Sequence, residues 1–398
     1  MSEVLEGDLM LELRRLAEDA LNKPSPYGMD LRIEDFLRPK AEPPVDLGVL
    51  SSLGIEPERA SYIQVDNKPV EVRPEIPGVK VLTLSQALEE DLVRDYFWNA
   101  VKIDTDKYTA AAELFGGHEG YVFIAERGRK VERPVLSCLL LSTPGSIQAP
   151  HNIVVVEEGA ELHVITGCLT SIEAPGLHAG ISEFYVKEGG RLTFTMIHQW
   201  APTSHVRPRT GVIVERGGEY VSHYINMSPI ASLQTDPKVY LVGEGARAYL
   251  SSVIVAPKES KIDIGGSVFL RAENTSAEII SKVITKDRAD VITRSLISAE
   301  GRGARGHIEC DGLLLSDSSR ILTLPALDAK VDDVQLSHEA AVGKLSEEQL
   351  YYLMTKGFTE EEARSILVRG FMEVKIEGLP RPVEAQLKMA LELAARGL

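Results

Sequence analysis

Apolar and polar residues alternate through the middle of the chain, from about residue 120 to residue 343. The apolar positions are rich in Val, Ile, Tyr and Phe, and short turns containing glycine separate one run from the next, which is the pattern of β-strands. The turns recur in the stretches EEGAELHVI, KEGGRLTFT, ERGGEYVSH and GEGARAYLS. Their glycines, Gly159, Gly189, Gly217 and Gly245, follow one another at a nearly constant interval. A regular interval of this length predicts a solenoid.

Each interval contains two strand-like runs, for example residues 161–166 and 181–186, so one repeat should form one coil with two strands. Stacked coils would place these strands in two facing parallel sheets, and we predict a parallel β-helix of about seven or eight coils. Continuing the interval between Gly217 and Gly245 predicts further turns at Glu273, Gly301 and Ala329. The alternative is a β-sandwich of hairpins, which expects turn signals about every 8–12 residues and no constant long interval.

The segment before the repeats has a helical pattern at both ends. Apolar residues recur at helical spacing over residues 7–21, and a second helix is predicted over 84–101 with Ser85 as its cap. Residues 37–80 are rich in proline and are predicted to be irregular. We therefore divide the chain into an N-terminal helical and irregular module (1–119), a β-helix core (120–343) and a C-terminal helical domain (344–398).

The C-terminal domain carries two helix-start signals. Ser346 with Gln349, and Thr359 with Glu362, fit the capping box, in which a hydroxyl and an acid or amide satisfy N–H groups of the first turn. A last helix is predicted over residues 383–396. Such a tail either caps the end of the solenoid or forms a docking surface for a partner.

Composition and charge exclude several classes of protein. The chain has 43 Lys and Arg against 59 Asp and Glu, a net charge of −16, and an acidic surface repels nucleic acid. No apolar run approaches the roughly 18 residues that a membrane span needs, and no secretory signal is visible at the start. The three cysteines (Cys138, Cys168 and Cys310) do not make a disulfide framework. We expect a cytoplasmic protein with reduced thiols and neither a nucleic-acid nor a membrane partner.

The repeat interval predicts that the thiols share one line along the solenoid. The position nine residues after each predicted turn is occupied in order by Cys168, His198, Asn226, Ile254, Lys282, Cys310 and His338, with Cys138 one coil before Cys168. Equivalent positions on neighbouring coils lie about 4.8 Å apart, so this line would make Cys310 and His338 neighbours. Glu339 is one residue out of phase and reaches the same place only if the strand bends or ends there.

Cysteine, histidine and carboxylate in one small volume suit iron or zinc. The alternative is that the three cysteines are small apolar residues stacked inside the coils by chance. One chain has too few thiolates for a four-cysteine cluster site, so a cluster would need mixed ligands or a second copy of the chain.

Two motifs bear on nucleotide binding. Gly301, Gly303 and Gly306 match the dinucleotide-binding fingerprint, but the residues that follow are strand-like, which favours a solenoid turn. The chain contains no GxxxxGK[ST] phosphate loop, so we do not expect it to hydrolyse ATP.

The C-terminal third resembles a known family. The combination of CDGLLLSDSS, SHEA, SEEQLYYL and EEEARSILVRGF, within residues 310–371, is similar to the SufB and SufD proteins that assemble iron–sulfur clusters. Weaker similarity extends back through HQWAP and EEGAELHVITGC to about Phe123. The resemblance implies a right-handed parallel β-helix with helical ends, dimerisation through the β-helix, and binding of the ABC-type ATPase SufC by the C-terminal helices.

The resemblance also implies roles for particular residues. The cysteine of ITGC, Cys168, matches the sulfur acceptor of SufB. Cys310 and Glu339, with His338 beside them, match the residues linked to nascent cluster assembly at the dimer interface. Because SufD-type chains typically have glycine where this chain has Glu339, the resemblance favours a SufB-like chain. Its compact length favours the homodimer of minimal SufBC systems.

The chain departs from bacterial SufB at several positions. Leu140 and Ser142 stand where an Arg-x-Asn pair is expected, Glu215 replaces a lysine that lines a tunnel, and His198 replaces a glutamine. These differences argue against the bacterial sulfur path, and Cys138 is a candidate relay in its place.

The expected function is therefore that of a scaffold rather than an enzyme. Cys168, with a lowered thiol pKa, would accept sulfur from a donor, and a transient iron–sulfur cluster would form at Cys310, Glu339 and His338 for transfer to recipient apoproteins. The sequence does not indicate a flavin. Two alternatives are a SufD-like subunit that carries no cluster, and a β-helix carbohydrate-binding protein or lyase. The second expects exposed aromatic residues on one sheet, whereas Trp98 and Trp200 are the only tryptophans.

Overall fold

The protein is a parallel β-solenoid of about 8 turns with helices at both ends, as predicted. The computed structural model describes residues 2–39, 46–53, 56–74, 76–170 and 175–371. The helix predicted over 383–396 lies outside this part of the chain.

The described residues form twenty-three strands in two sheets. The first twelve are β1 Tyr62–Val65, β2 Lys68–Val72, β3 Val79–Thr83, β4 Tyr121–Ala125, β5 Val135–Leu141, β6 Ile147–Gln148, β7 His151–Val156, β8 Glu161–Thr170, β9 Gly176–His178, β10 Ile181–Val186, β11 Arg191–Gln199 and β12 Ser204–Val206. The others are β13 Arg209–Val214, β14 Glu219–Asn226, β15 Ser232–Thr235, β16 Lys238–Leu241, β17 Arg247–Ala256, β18 Lys261–Leu270, β19 Ser276–Thr285, β20 Asp290–Ala299, β21 Ala304–Leu314, β22 Arg320–Ala329 and β23 Val334–Lys344.

The first sheet has ten strands in the order β2-β1-β5-β8-β11-β14-β17-β19-β21-β23. From β1 onward its neighbours pair in parallel. The second sheet takes the remaining strands, and its last coils pair β18 with β20 and β20 with β22. Every second side chain of each sheet points into the space between the two sheets.

The predicted turns adopt the left-handed backbone conformation that glycine tolerates best. The glycines of the four repeated turns all have positive φ, as do Asn274 (58°) and Gly303 (70°) in the turns that follow. The last two intervals are therefore each one residue longer than the interval between Gly217 and Gly245, and the turns predicted at Glu273 and Gly301 were wrong by one and two positions. Ala329, the third predicted turn, is the last residue of β22.

The longer intervals overturn the predicted line of thiols. Cys168 pairs with His198, and the line continues correctly through Asn226 and Ile254. Beyond that point β17 pairs with β19 one residue later than predicted, so Ile254 faces Val283 rather than Lys282.

The same slip moves the residues at the end of the solenoid. Cys310 pairs with Ser281 and Ala340, and His338 pairs with Ile308. The thiols therefore do not share one register line.

The space between the sheets is a continuous apolar core. Phe184 of the second sheet packs against Phe194 of the first, with ring centroids 4.7 Å apart, and both are buried. Tyr121 and Phe123 stack at 4.4 Å in the first coils. Burial of each of these aromatic side chains stabilises the folded state, and truncating one to alanine lowers the free energy of unfolding by roughly 3–5 kcal/mol. The core holds the coils in register.

Helices cover the outer face of the second sheet in the first coils. They are α1 Ser2–Ala20, α2 Leu84–Glu89 and α3 Lys107–Phe115, with a 3₁₀ turn at Ile33–Phe36. Two further 3₁₀ turns lie at Leu47–Leu53 and Pro57–Arg59, and Leu50 packs on the outer face of the first sheet. Thr83, rather than Ser85, caps α2. The segment predicted to be irregular contains β1 and β2, and β1 extends the first sheet.

Buried charged groups tie this cover to the solenoid. The Glu183 carboxylate on β10 is fully buried and accepts hydrogen bonds from the backbone N–H groups of Trp98 (2.6 Å) and Ala100 (2.6 Å). Asp106 caps α3 and pairs with Arg209 of β13 at 2.7 Å, with both side chains buried. Breaking a buried pair of this kind costs several kcal/mol because the remaining charge is left unpaired.

The C-terminal helices are α4 Glu347–Thr355 and α5 Glu360–Phe371. Both predicted starts are confirmed: the Ser346 hydroxyl accepts from the backbone N–H of Gln349, and Thr359 and Glu362 form the reciprocal pair. Val368 of α5 packs on an apolar patch of the first sheet. Among the described residues no helix has the length and apolar character needed to span a membrane.

The solenoid is open at its C-terminal end. Within the described part of the chain, β22 and β23 each pair on one side only. Their side chains are mostly exposed, and Val342, which lies on the inward-facing line of Gly312, is 43% exposed. An unpaired strand edge with exposed apolar residues is a surface on which another chain can pair.

Candidate functional site

Cys168 lies in the middle of the solenoid on an inward-facing position of β8. Its side chain is fully buried in the core between the sheets. The thiol donates to the sulfur of Met196 at 3.4 Å. Burial raises the pKa of Cys168 well above its usual value, so the expectation of a lowered pKa was wrong for this closed arrangement.

Polar and aromatic side chains lie on the coils that follow this thiol. His198, beside Cys168 in the register, is hydrogen-bonded through Nδ1 to the Tyr224 hydroxyl at 2.9 Å, and its ring lies 5.3 Å from that of Trp200. Burial lowers the pKa of His198 well below its usual value, so the imidazole is neutral. The indole N–H of Trp200 and the amide oxygen of Asn226 are buried without a hydrogen-bond partner among the described residues. These unpartnered groups offer hydrogen bonds to a small polar guest.

A narrow cavity of about 70 Å³ runs between the sheets in these coils. The inward-facing register line that borders it continues through Met196, Tyr224, Ser252 and Ser281 to Cys310. Five strand spacings separate Cys168 from Cys310 along the solenoid, roughly 24 Å. The interior therefore provides a line of sulfur, phenol and hydroxyl groups between the two cysteines.

Cys310 also faces the interior, one strand from the open end. Its side chain is 1% exposed and lies among the core residues. Burial raises the pKa of the Cys310 thiol, and the nearby Ser295 hydroxyl on β20 offsets part of that rise. This thiol is protonated in the closed state and is shielded from solvent oxidants.

The other two predicted ligands lie on β23 but on opposite faces. His338 is on the inward-facing line of Ile308, one strand and two residues from the position of Cys310, or roughly 8 Å between Cα atoms. Glu339 pairs with Glu309 on the outer face. The strand does not end at Glu339, since β23 continues to Lys344, so the condition for Glu339 to reach the thiol is not met in this arrangement. The protomer thus does not bring Glu339 to the face of Cys310.

The structure instead groups Glu339 with two residues that sequence reasoning missed. His307 and Glu309 occupy outward-facing positions of β21, and ligand atoms of His307, Glu309 and Glu339 all lie within 4.8 Å of one another. The distance from Nε2 of His307 to Oε1 of Glu339 is 4.0 Å. The available signal was the alternation in HIE, which puts an imidazole and a carboxylate on one face of a strand.

The positions that depart from bacterial SufB have other roles here. Cys138 pairs with Gly167 and packs with Leu50 outside the space between the sheets, which does not favour a relay to Cys168. The hydroxyl of Ser142 donates to Asp66 at 2.9 Å. Glu215 pairs with a lysine on the neighbouring coil and does not line the cavity.

Comparisons with known proteins agree with this architecture. The family described as SUF system FeS cluster assembly, SufBD core domain, matches residues 139–371. The chain is 37% identical over 410 residues to an iron-sulfur cluster assembly SufBD family protein of Methanothermobacter thermautotrophicus, covering 98% of this chain and 100% of that protein.

Two further relatives carry the same description. One from Archaeoglobus fulgidus is 42% identical over 359 residues, covering 89% of this chain and 96% of that protein. One from Staphylococcus aureus is 29% identical over 351 residues, covering 86% of this chain and 74% of that protein. The similarity covers almost the whole chain, which favours an assembly protein over a carbohydrate-binding solenoid.

Proposed function

The chain belongs to the SufBD family of iron–sulfur cluster assembly proteins, and on that premise we propose that it is a SufB-like scaffold. It accepts sulfur at Cys168, builds a nascent cluster near its open end, and passes that cluster to recipient apoproteins. The observation that carries this proposal is the interior line of polar and sulfur groups that joins Cys168 to Cys310. The three free thiols suit the reducing cytoplasm.

The closed solenoid is the resting state of this scaffold. Both thiols are buried and protonated, and the neutral His198 is a poor proton acceptor because burial opposes its positive charge. Attack on a sulfur donor requires the thiolate. Solvent must therefore enter the interior before Cys168 can react, and the unpartnered groups of Trp200 and Asn226 stabilise the polar guest once it enters.

Cluster assembly belongs at the open end, where the last strand is the most easily displaced. Cys310 lies one strand in from the edge, and His338 and Glu339 lie on the edge strand β23 itself. Among the described residues β23 is paired only with β21, so displacing it breaks one strand ladder instead of two, and a twist of the freed strand brings Glu339 toward the inner face. A mixed set of thiolate, imidazole and carboxylate holds a cluster less firmly than four thiolates, which suits a donor that must release its cargo.

The C-terminal helices provide the docking surface for a SufC-type ATPase. Tyr351 and Tyr352 on α4 are 68% and 61% exposed, and Met354 and Phe358 beside them are also exposed. A cluster of exposed aromatic and methionine side chains is typical of a protein interface. Because α4 follows β23 after a short connection, ATP-driven movement of these helices acts directly on the edge strand.

The open end is also the surface for a second copy of the chain. The unpaired edges of β22 and β23 supply backbone hydrogen-bonding groups, and Val342 adds apolar surface. A homodimer joined here would place two copies of Cys310 near one interface, which makes up for the small number of thiolates in one chain.

The proposal is tested by anaerobic reconstitution of the full chain with ferrous iron and sulfide, with iron and sulfide counted per dimer. We expect a visible-region chromophore that is lost in Cys310→Ala and kept in Cys138→Ala. Cys138 is the matched control because it is also a buried thiol but lies outside the interior. An unchanged spectrum in Cys310→Ala would refute the role of this thiol. A chromophore that forms only after a distinct SufB chain is added would indicate a SufD-like subunit.

A further inference from the structure

The outer face of the last coils carries a group of metal-binding side chains that the thiol site does not use. His307 and Glu309 alternate on β21, so both side chains project outward, and the register brings Glu339 of β23 directly beside Glu309. One ligand atom from each of the three residues lies within 4.8 Å of the others. Cys310 follows Glu309 directly but faces the interior, so the sheet itself separates this group from the thiol.

The imidazole of His307 is oriented by a residue outside the group. Its Nδ1 is hydrogen-bonded to the Ser337 hydroxyl at 2.9 Å, which leaves Nε2 facing the Glu339 carboxylate at 4.0 Å. Histidines that bind metals commonly have the second ring nitrogen held in this way, which selects the tautomer and fixes the ring plane. The corresponding pair on an earlier coil, His163 with the Thr195 hydroxyl, is not part of any such group among the described residues.

The electrostatic surroundings favour a cation. The carboxylates of Glu309 and Glu339 occupy paired positions on the outer face, with Asp311 two residues further along β21 and Lys282 paired beside Asp311. Carboxylates this close repel one another, and a bound cation would relieve that repulsion. An open cavity of about 690 Å³, lined by His307, Arg305 and Ser337 among others, gives solvent access to the imidazole.

We propose that His307, Glu309 and Glu339 bind one divalent first-row transition ion on the outer face, and that this site supplies ferrous iron to the scaffold. One nitrogen and two carboxylate donors suit Fe²⁺, Mn²⁺, Co²⁺ and Zn²⁺, and open coordination positions remain for water. The choice of iron as the bound ion rests on the proposed function, whereas the existence of the site does not. Glu339 would be the shared residue, since a twist of β23 moves it from this site toward Cys310.

The site is tested with Co²⁺ added to the full-length, reduced protein under anaerobic conditions, without iron or sulfide. Visible absorption of bound Co²⁺ reports nitrogen and oxygen ligands, and a sulfur-to-cobalt charge-transfer band would report a thiolate. We expect one Co²⁺ per protomer without that band. Affinity should fall by more than about tenfold in His307→Ala and in Glu309→Gln, and by less in Ser337→Ala, which only orients the imidazole.

Two controls separate this site from the proposed function. Glu278→Gln removes the same charge from the outward-facing position paired with His307 and should change the affinity by less than about twofold. Cys310→Ser should leave Co²⁺ binding unchanged even though it is expected to abolish the cluster chromophore. If the wild-type protein binds Co²⁺ but forms no chromophore on reconstitution, the result counts against the proposed scaffold function and not against the metal site.

Several results would overturn the site. The first is an equal Co²⁺ affinity in wild type and His307→Ala. The second is a loss of affinity in Glu278→Gln as large as that in His307→Ala. The third is a thiolate band in the wild type that disappears in Cys310→Ser. Because the three ligands are on the surface, their variants should keep the circular dichroism and unfolding midpoint of the wild type. If His307→Ala does not fold, Glu309→Gln tests the site instead, because it preserves the shape of the side chain.

Discussion

The middle coils and the last coil are made from the same repeat but lie in different environments. In the middle, both edges of every strand are paired, and Cys168 and Phe184 are fully buried. At the end, β22 and β23 are paired on one side within the described part of the chain, and most of their side chains are exposed. The difference comes from position in the stack, because each coil is completed by its neighbours and the last described coil has a neighbour on one side only. The middle therefore encloses a buried thiol, whereas the end presents exposed strand edges.

The largest contrast between the two regions should be in packing energy. Phe184→Ala empties a fully buried position between the sheets and should lower the free energy of unfolding by about 3–5 kcal/mol. Leu327→Ala on β22 removes a half-buried side chain beside the open end and should cost less than half as much. Urea unfolding followed by circular dichroism measures both. Equal losses of unfolding free energy in the two variants would mean that the open end is covered in solution.

The second contrast is in the response to acid. Burial lowers the pKa of His178, on the inner side of the second sheet, to about 3, against about 6.5 in the unfolded chain. The unfolded state therefore binds a proton that the folded state does not bind. As the pH falls below 6.5, the free energy of unfolding decreases by about 1.4 kcal/mol per pH unit. His178→Gln should flatten the dependence of stability on pH between 6.5 and 4.5 by about that slope.

His118 is the control of opposite sign. A hydrogen bond to Glu113 raises the pKa of His118, so its contribution to stability is present below pH 6.5 and is lost as the pH rises. His118→Gln should therefore remove a rise in stability that occurs as the pH falls toward 6.5, and it should leave the slope between pH 6.5 and 4.5 unchanged. If both variants flattened it, the assignment of His178 as a buried neutral imidazole would be wrong.

The smallest effect is expected on self-association. Val342→Lys places a charge at the open end and should weaken the proposed homodimer by at least about tenfold, or 1.4 kcal/mol, because the ammonium group loses solvent when the edges meet. Val242→Lys is the matched control, since Val242 is 42% exposed after β16, away from the open end. Light scattering across a dilution series measures the dissociation constant. Equal weakening by both variants would point to an interface elsewhere.

The sequence by itself was sufficient for the architecture. Strand alternation and the repeated turns depend on local chemistry, since the corner requires positive φ, which glycine adopts most easily, as at Gly159 and Gly217. The caps at Ser346 and Thr359 are equally local and were confirmed. The short strands β1 and β2 escaped prediction because their stability comes from pairing with each other and, through β1, with β5, not from their own composition.

Only the tertiary structure decided which side chains meet. Lengthening the repeat by a single residue is invisible in strand propensity, yet it moved Cys310 away from the line of Cys168 and put Ser281 beside it. The observed register pairs Cys310 with Ala340 instead of His338, a shift of two residues that leaves each side chain on its own face. Glu339 therefore stays on the outer face, where the register gathers it with His307 and Glu309 rather than with the thiol. Residue identity determined the available chemistry, and register determined where it is gathered.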